Sequence, residues 1–305
     1  MRQVRRYQSS DIRPLLEVVN SIETDDILRD DILPDEILSE MQLTHNLRSN
    51  DSIGGKTWVI TVDGNVQGSA SLTPVPALKG VFDLGGGIAP TMRRRGLGSF
   101  LLKQMLKEIP HGEVRQITYA VESMNSPVGQ FLQANSFRIE HVEWGMVLHD
   151  ISIPDSETVK SGRRIQLYNR LTAADLFLSL YEASFMGLAW YQPYQNAEEV
   201  LEEMDDDDGI FVLIEEETPV GFIWMRWPYP ETAEFEPIGV IQKYQNRGLG
   251  RFLIREGVNL AARKGAKRIA LSVWADNAPA IHLYKALGFR HGQTLTFLGR
   301  DLHLL

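Results

Sequence analysis

The sequence predicts an α/β protein made of two tandem copies of one domain, each a central twisted mixed sheet flanked by helices. Three observations carry this reading. The segment Arg93-Arg94-Arg95-Gly96-Leu97-Gly98-Ser99 returns as Gln245-Asn246-Arg247-Gly248-Leu249-Gly250-Arg251, an offset of 152 residues in a chain of 305. At the same offset Asn125 meets Asn277 and Phe137 meets Phe289, so the repeat unit is half the chain rather than a solenoid period. In both copies the glycines separate a β-rich run from an amphipathic helical one. The expected domains are 1–151 and 163–305. Their boundary falls in 152–162, a polar stretch with Pro154 and Gly162 and no apolar periodicity.

Each half reads in the same order. In the second, Thr172 is the expected N-cap of a helix with Leu176, Leu180 and Ala183 on one face, and 197–204 is again helical. The runs 210–214 and 220–226, joined by the acidic turn 215–219, predict a hairpin. A strand over 234–241 passes through the glycine turn into a helix over 249–262. A strand at 268–274, a helix at 278–286 and a strand at 294–298 complete the copy. The first half predicts strands over 58–62, 68–72, 82–89, 117–121 and 144–148, a helix after Gly98, and a longer opening helical region.

Composition narrows the function. Apolar residues form 43% of the chain and charged residues 23%, as in soluble globular proteins. A net charge of −9 argues against a nucleic-acid partner, which calls for a basic face. The absence of cysteine excludes a thiol nucleophile, a disulfide scaffold and any cysteine-ligated metal. His282 and His291 show no ligand spacing, so no metal is expected. No run approaches the roughly 18 apolar residues of a membrane span, so no membrane partner is expected. The opening MRQVRRYQSSDI is basic without an apolar core, so no secretory leader is expected and the expected location is cytoplasmic.

The chemistry should sit where a strand ends in a glycine turn that opens a helix. Free backbone N–H groups at the positive end of the helix dipole suit a phosphate or pyrophosphate. A P-loop needs Gly-Lys-Ser/Thr, whereas both copies have Gly-Leu-Gly. A dinucleotide fingerprint needs a third glycine where Leu101 and Leu253 stand. Arg93–Arg95 and Arg247 are basic residues in an acidic protein, consistent with paired phosphates. A matching asparagine 29 residues after Gly96 and after Gly248 makes coincidence a poor explanation.

On these residues the sequence resembles the GNAT superfamily of acyl-CoA-dependent N-acyltransferases. That family's loop, Arg/Gln-x-x-Gly-x-Gly/Ala, is matched by Gln245, Gly248 and Gly250 and by Arg93, Gly96 and Gly98. Its following segment, Asn-x-x-Ala-x-x-Leu-Tyr-x-x-x-Gly-Phe, is filled by Asn277, Ala280, Leu283, Tyr284, Gly288 and Phe289. The first half keeps Asn125 and Phe137 but has Val128, Leu132 and Ser136 at the alanine, tyrosine and glycine positions. The resemblance implies acetyl-CoA as acyl donor, a groove between the fourth and fifth strands, and a catalytic second half beside a catalytically degenerate first. It implies binding by Gln245, Asn246, Arg247, Gly248, Leu249, Gly250, Arg251 and Asn277, with strand residues Ile238 and Val240. In the first half it implies Ile88, Arg93, Arg94, Arg95, Gly96, Leu97, Gly98, Ser99 and Asn125.

The reaction then assigns roles. A neutral amine attacks the thioester, so an oxyanion needs a preorganised donor, which the family draws from a backbone N–H near Val240. Tyr284 stands at the family's position for protonating the departing thiolate. Losing the ammonium proton calls for a carboxylate. Glu234 and Glu236 alternate with Phe235, so both point to one face. Glu236, at the family's acidic position, ranks ahead of Glu234, against the alternative of a solvated strand face for either. Trp190, Tyr191 and Tyr194 follow the first helix, where the family walls its acceptor pocket, and Trp190 is the candidate acceptor contact, against a core role for each. The carboxylates of 205–208 and 215–217 read as solvated loops, and Trp224 and Trp227 as packing residues.

Two function classes follow. The favoured one is an acetyl-CoA-dependent N-acetyltransferase acting on a small-molecule or protein amine. The other is a CoA-binding regulatory or structural protein without turnover, which would have no need of the Tyr284 and Glu236 pair.

Overall fold

The computed structural model describes residues 1–30, 38–75, 78–110, 112–149, 151, 162–189 and 191–302. The expected boundary segment, apart from Gly162, and Trp190 lie outside the described residues.

The chain forms two compact units, Met1–Glu140 with Phe297–Leu305, and His141–Thr296. Each takes strand residues from the other sequence half. The first contains β1 (Arg2–Arg6), α1 (Ile12–Asp30), α2 (Glu40–Ser52), β2 (Lys56–Val62), β3 (Asn65–Pro74), β4 (Val81–Ile88), α3 (Leu97–Glu108), β5 (Gln116–Val121) and α4 (Pro127–Ala134). Its strands lie in the order β1-β2-β3-β4-β5, antiparallel up to β4 and parallel between β4 and β5. Strand β6 (Arg138–Leu148) follows, then β7 (Arg163–Leu167), α5 (Arg170–Phe185), α6 (Ala197–Glu203), β8 (Gly209–Glu215), β9 (Thr218–Tyr229) and β10 (Thr232–Val240). Helix α7 (Leu249–Arg263), β11 (Arg268–Trp274), α8 (Ala278–Ala286) and β12 (Arg290–Asp301) end the chain. In the second unit the order β7-β8-β9-β10-β11 repeats the first, and residues 143–148 of β6 pair antiparallel with β11, from Trp274↔Glu143 to Ile269↔Leu148.

Strands β1 and β7 were not expected, because RQVRR and RRIQL lack apolar alternation. Both are edge strands, where charge discourages stray pairing. Ladder pairing with β2 and β8 holds them, and ion pairs brace them. Arg163 reaches Glu215 at 2.8 Å, Arg164 grips Glu217 with two bonds of 2.7 and 2.9 Å, and Arg5 reaches Asp11 at 2.6 Å. Glu215 and Glu217 therefore pin an edge strand rather than only solvating a hairpin tip.

Helix α5 starts one turn earlier than expected. Asn169, not Thr172, is the cap, its side chain accepting from the Thr172 N–H at 3.0 Å. Phe177 on α5 packs edge-on against Phe222 and Trp224 of β9, ring centroids 5.0 and 5.3 Å apart. Trp224 is fully buried, and Asp208 accepts its indole N–H at 2.9 Å. An unpaired buried indole N–H would cost roughly 1–3 kcal/mol, so Asp208 is structural, while Asp205, Asp206 and Asp207 remain exposed.

In both units the parallel pairing next to the glycine turn is short. Strands β4 and β5 pair only at Val81↔Gln116, Phe82↔Ile117 and Asp83↔Thr118. Strands β10 and β11 pair only at Thr232↔Arg268, Ala233↔Ile269 and Glu234↔Ala270. Beyond these residues each strand pair splays into a wedge.

Candidate active site

The wedge of the second unit is shaped by β10. Its pairing with β9 breaks between Phe235 and Ile238, at Glu236 and Pro237, where a proline has no N–H for the ladder. Arg226 of β9 closes this bulge by donating Nε to the Glu236 carbonyl at 3.1 Å. Phe235 points into the core at 1% exposure, so alternation turns Glu234 and Glu236 the other way. There they line a cavity of about 370 Å³, together with Tyr284 of α8, Ser272 of β11 and Glu143 of β6.

The electrostatics follow from this placement. Burial, then the charges of Glu234 and Glu143, push the Glu236 carboxyl up to about 7, against the opposing pull of Arg226 and a hydrogen bond from Ser272. Tyr284 is pushed well above its ordinary value by burial and by the charge of Glu236. One wall thus holds a carboxylate able to take a proton near neutrality and a phenol that keeps its own, an acid–base division of labour. Glu203 accepts from Tyr194 at 2.7 Å and from Arg226 at 2.5 Å.

The glycine turn lies past the end of β10. Ile241 donates its N–H to Val220 at 2.9 Å, so alternation turns the backbone groups of Val240 away from β9 and into the wedge. Gln245 Nε2 meets the Val240 carbonyl there at 2.9 Å. The first unit repeats this bond, Arg93 Nε donating to the Ile88 carbonyl at 3.1 Å. The opening residue of each loop motif therefore ties the turn to its strand. Gly248 and Gly96 cap their helices at φ 77° and 73°, a left-handed backbone that disfavours a side chain. A Cβ at Gly250 would lie 3.3 Å from Leu283, and one at Gly98 3.1 Å from Phe131, so the second glycine lets the two helices approach. The amides of Leu249, Gly250 and Arg251 open α7, with no preceding turn to accept them.

Of the expected site residues, Glu234, Glu236, Ile238, Asn277 and Tyr284 line the cavity, and Asn277 also caps α8 by accepting from the Ala280 N–H at 3.3 Å. In the first unit the matching cap is Ser126, one residue beyond Asn125, and Asn125 is exposed. There Leu132 stands at the Tyr284 position, buried in the core, while the strand registers set Asp83 and Leu84 where Glu234 and Phe235 stand. Strand β4 pairs with β3 without a break and has only Gly85 for the Glu236-Pro237 bulge, not the Leu84 that a uniform offset would put there. Sequence reasoning missed Glu143, Tyr181, Glu203, Arg226, Ser272 and Trp274 in the cavity wall. The alternation of His141 and Glu143 on a strand was available as a signal, but it lies in the other repeat.

The acetyltransferase (GNAT) family model matches residues 23–136 and again 174–289. The chain belongs to the GNAT acetyltransferase family. Its tandem GNAT architecture places a central mixed sheet flanked by helices in each domain. A mycothiol acetyltransferase of Corynebacterium glutamicum strain R is 39% identical over 83 residues, covering 27% of this chain and 28% of that relative's length. One from a Nocardioides species is 26% identical over 235 residues, covering 68% of this GNAT protein and 77% of the relative. Among solved structures, a GCN5-related N-acetyltransferase from Sphaerobacter thermophilus superposes with TM-score 0.70 at 15% identity, covering 98% and 95% of the two chains. A tandem GNAT protein from the clavulanic acid biosynthesis pathway gives 0.66 at 16%, covering 99% and 98%. No helix among the described residues is long and apolar enough to cross a membrane.

Proposed function

We propose that the protein transfers an acetyl group from acetyl-CoA to a primary amine by direct attack, with the chemistry in the second unit. Glu236 takes the proton of the incoming ammonium, directly or through water, which its raised proton affinity permits near neutral pH. The amine attacks the thioester carbon, and the Val240 N–H, turned into the wedge, donates to the oxyanion that forms. Tyr284 protonates the thiolate as the tetrahedral adduct collapses to amide and CoA, and the proton still carried by the adduct's nitrogen returns to the tyrosinate. Residues 245–251 and Asn277 hold the CoA phosphates and pantetheine arm. Glu234 tunes Glu236 and attracts cations.

The observation that supports this reading most is the placement of Glu236 and Tyr284 on one cavity beside the open β10–β11 wedge. The first unit keeps the loop and its strand tether but has Leu132 in the Tyr284 position and only Gly85 for the Glu236-Pro237 bulge, which fits a CoA-binding half without turnover. Similarity to mycothiol acetyltransferases makes the amine form of mycothiol one acceptor to include. The test is CoA release from acetyl-CoA against a panel of monoamines, diamines, amino acids and amino sugars, with the acetylated product identified by mass. Amine-dependent release is expected; release with none of them contradicts the proposal.

A further inference from the structure

We propose that Glu143, which the first sequence repeat lends to the second unit, sets acceptor specificity by holding a second ammonium group, so that the preferred acceptor is a small aliphatic diamine. The inference rests on the amine acetyltransferase reading above and names the substrate class of the same cavity.

The strand register places the residue. In the β6–β11 pairing Glu143 lies opposite Trp274, and both line the cavity. Alternation sends the next residue, Trp144, to the other face, where it meets His291 edge-on at 4.9 Å and the Lys285 ammonium at 5.1 Å. Glu143 is held in place. His141, two residues earlier on the same face, brings Nε2 to its carboxylate at 3.1 Å, and the imidazole lies flat on Trp274, centroids 4.0 Å apart and 7° from parallel. A carboxylate braced by a stacked ring keeps one position, and a fixed position is what discriminates between ligands.

The charge balance of the wall points the same way. Four glutamates line it, Glu143, Glu203, Glu234 and Glu236, against the guanidinium of Arg226 among the described lining residues. Arg226 is engaged. It binds Glu203 at 2.5 Å, donates to the bulge carbonyl, and lies over the Trp224 ring at 4.2 Å. That leaves Glu143, Glu234 and Glu236 facing the space an acceptor would fill. A monoamine surrenders its one positive charge at Glu236 and leaves the other carboxylates uncompensated. A diamine keeps its second ammonium, which Glu143 can hold while Tyr181, Tyr194 and Trp274 offer aromatic faces. The same carboxylates repel an acceptor that carries a carboxylate or phosphate, which is discrimination by repulsion as well as attraction. A volume of about 370 Å³ accommodates a short alkyl chain with two polar ends.

The experiment compares kcat and KM for n-butylamine and 1,4-diaminobutane at about pH 8, in the full-length wild-type protein and in Glu143→Gln and Glu143→Asp, with melting curves for each. The wild type should favour the diamine by about tenfold or more in kcat/KM. Glu143→Gln should erase most of that preference by raising KM for the diamine much more than for n-butylamine. Glu143→Asp, which retains the charge, should keep part of the preference even if the glutamine variant fails to fold. Equal use of the two amines by the wild type overturns the inference, as does an equal loss for both amines in Glu143→Asp or in a folded Glu143→Gln. Turnover of other amines in the panel with neither of these two overturns the diamine assignment and leaves the acetyltransferase reading standing. Turnover of no amine overturns both.

Discussion

Tyr284 and Glu236 line one cavity, and the charge of the carboxylate adds to burial in holding the tyrosine protonated. The two come from different elements, α8 and the bulge of β10, and no short motif contains both. Their coupling gives Tyr284 the state an acid needs before the thiolate leaves. Thiols have an ordinary pKa near 8.5 and depart tolerably without help, so loss of the hydroxyl should slow the reaction rather than stop it. Tyr284→Phe should lower kcat by roughly 10²–10³, while acetyl-CoA affinity stays within a few-fold because the ring remains. Steady-state kinetics with direct acetyl-CoA titration separates the two. An unchanged kcat removes Tyr284 as the acid, and lost binding makes its role positional.

The buried position of Glu236 has a cost in stability, and its sign is fixed. The folded carboxyl titrates at about 7, above the 4.5 ordinary for a glutamate, so the folded state binds the proton more tightly than the unfolded chain. Stability therefore falls as pH rises from about 4.5 to 7 and stays reduced above that. Glu236→Gln carries no charge and should be more stable than wild type at pH 8, by roughly 2–3 kcal/mol, with the difference vanishing near pH 4. Denaturant melts at the two pH values check this. In the wild type, kcat/KM should rise with pH through about 7 as the base ionises. A flat profile across that range would remove Glu236 as the base.

The paired loops give a comparison within one molecule. At Gly248 and Gly96 the Cβ position is open but the backbone is left-handed, so a glutamate there adds backbone strain and a charge at the helix entrance. Gly248→Glu should abolish turnover, and Gly96→Glu should remove one acetyl-CoA binding event while most activity remains. Calorimetric stoichiometry beside the rate of CoA release reads both effects. If Gly96→Glu inactivates the protein and Gly248→Glu spares it, the catalytic half is the first.

What was legible in the sequence tracks what is local. The glycine turns, the strand that precedes each and the helix that follows depend on neighbouring residues, and α8 spans Ala278–Ala286 as the pattern predicts. The Glu234-Phe235-Glu236 alternation was legible too, because Phe235 declares which side is core. Strands β1 and β7 were not, since they are charged edge strands held by ladder pairing to β2 and β8 and braced by ion pairs, without apolar periodicity. Thr172 was read as a cap because it precedes an acidic helix start, but Asn169 reaches the free N–H three residues on. Asp208 looked like one of four equivalent carboxylates until the buried Trp224 indole claimed it. Glu143 could not be placed from a repeat taken as self-contained, because the strand that carries it pairs with β11 of the other half.

The most direct test of the central claim is acetyl-CoA turnover at about pH 8 for the wild type and Glu236→Gln, with the best amine of the panel and without amine. The expected result is CoA release that requires the amine, yields one acetylated amine per CoA, and falls roughly 10²–10⁴-fold in Glu236→Gln while acetyl-CoA still binds. Release that ignores the amine, or a Glu236→Gln variant as fast as wild type, would contradict catalysis at this cavity.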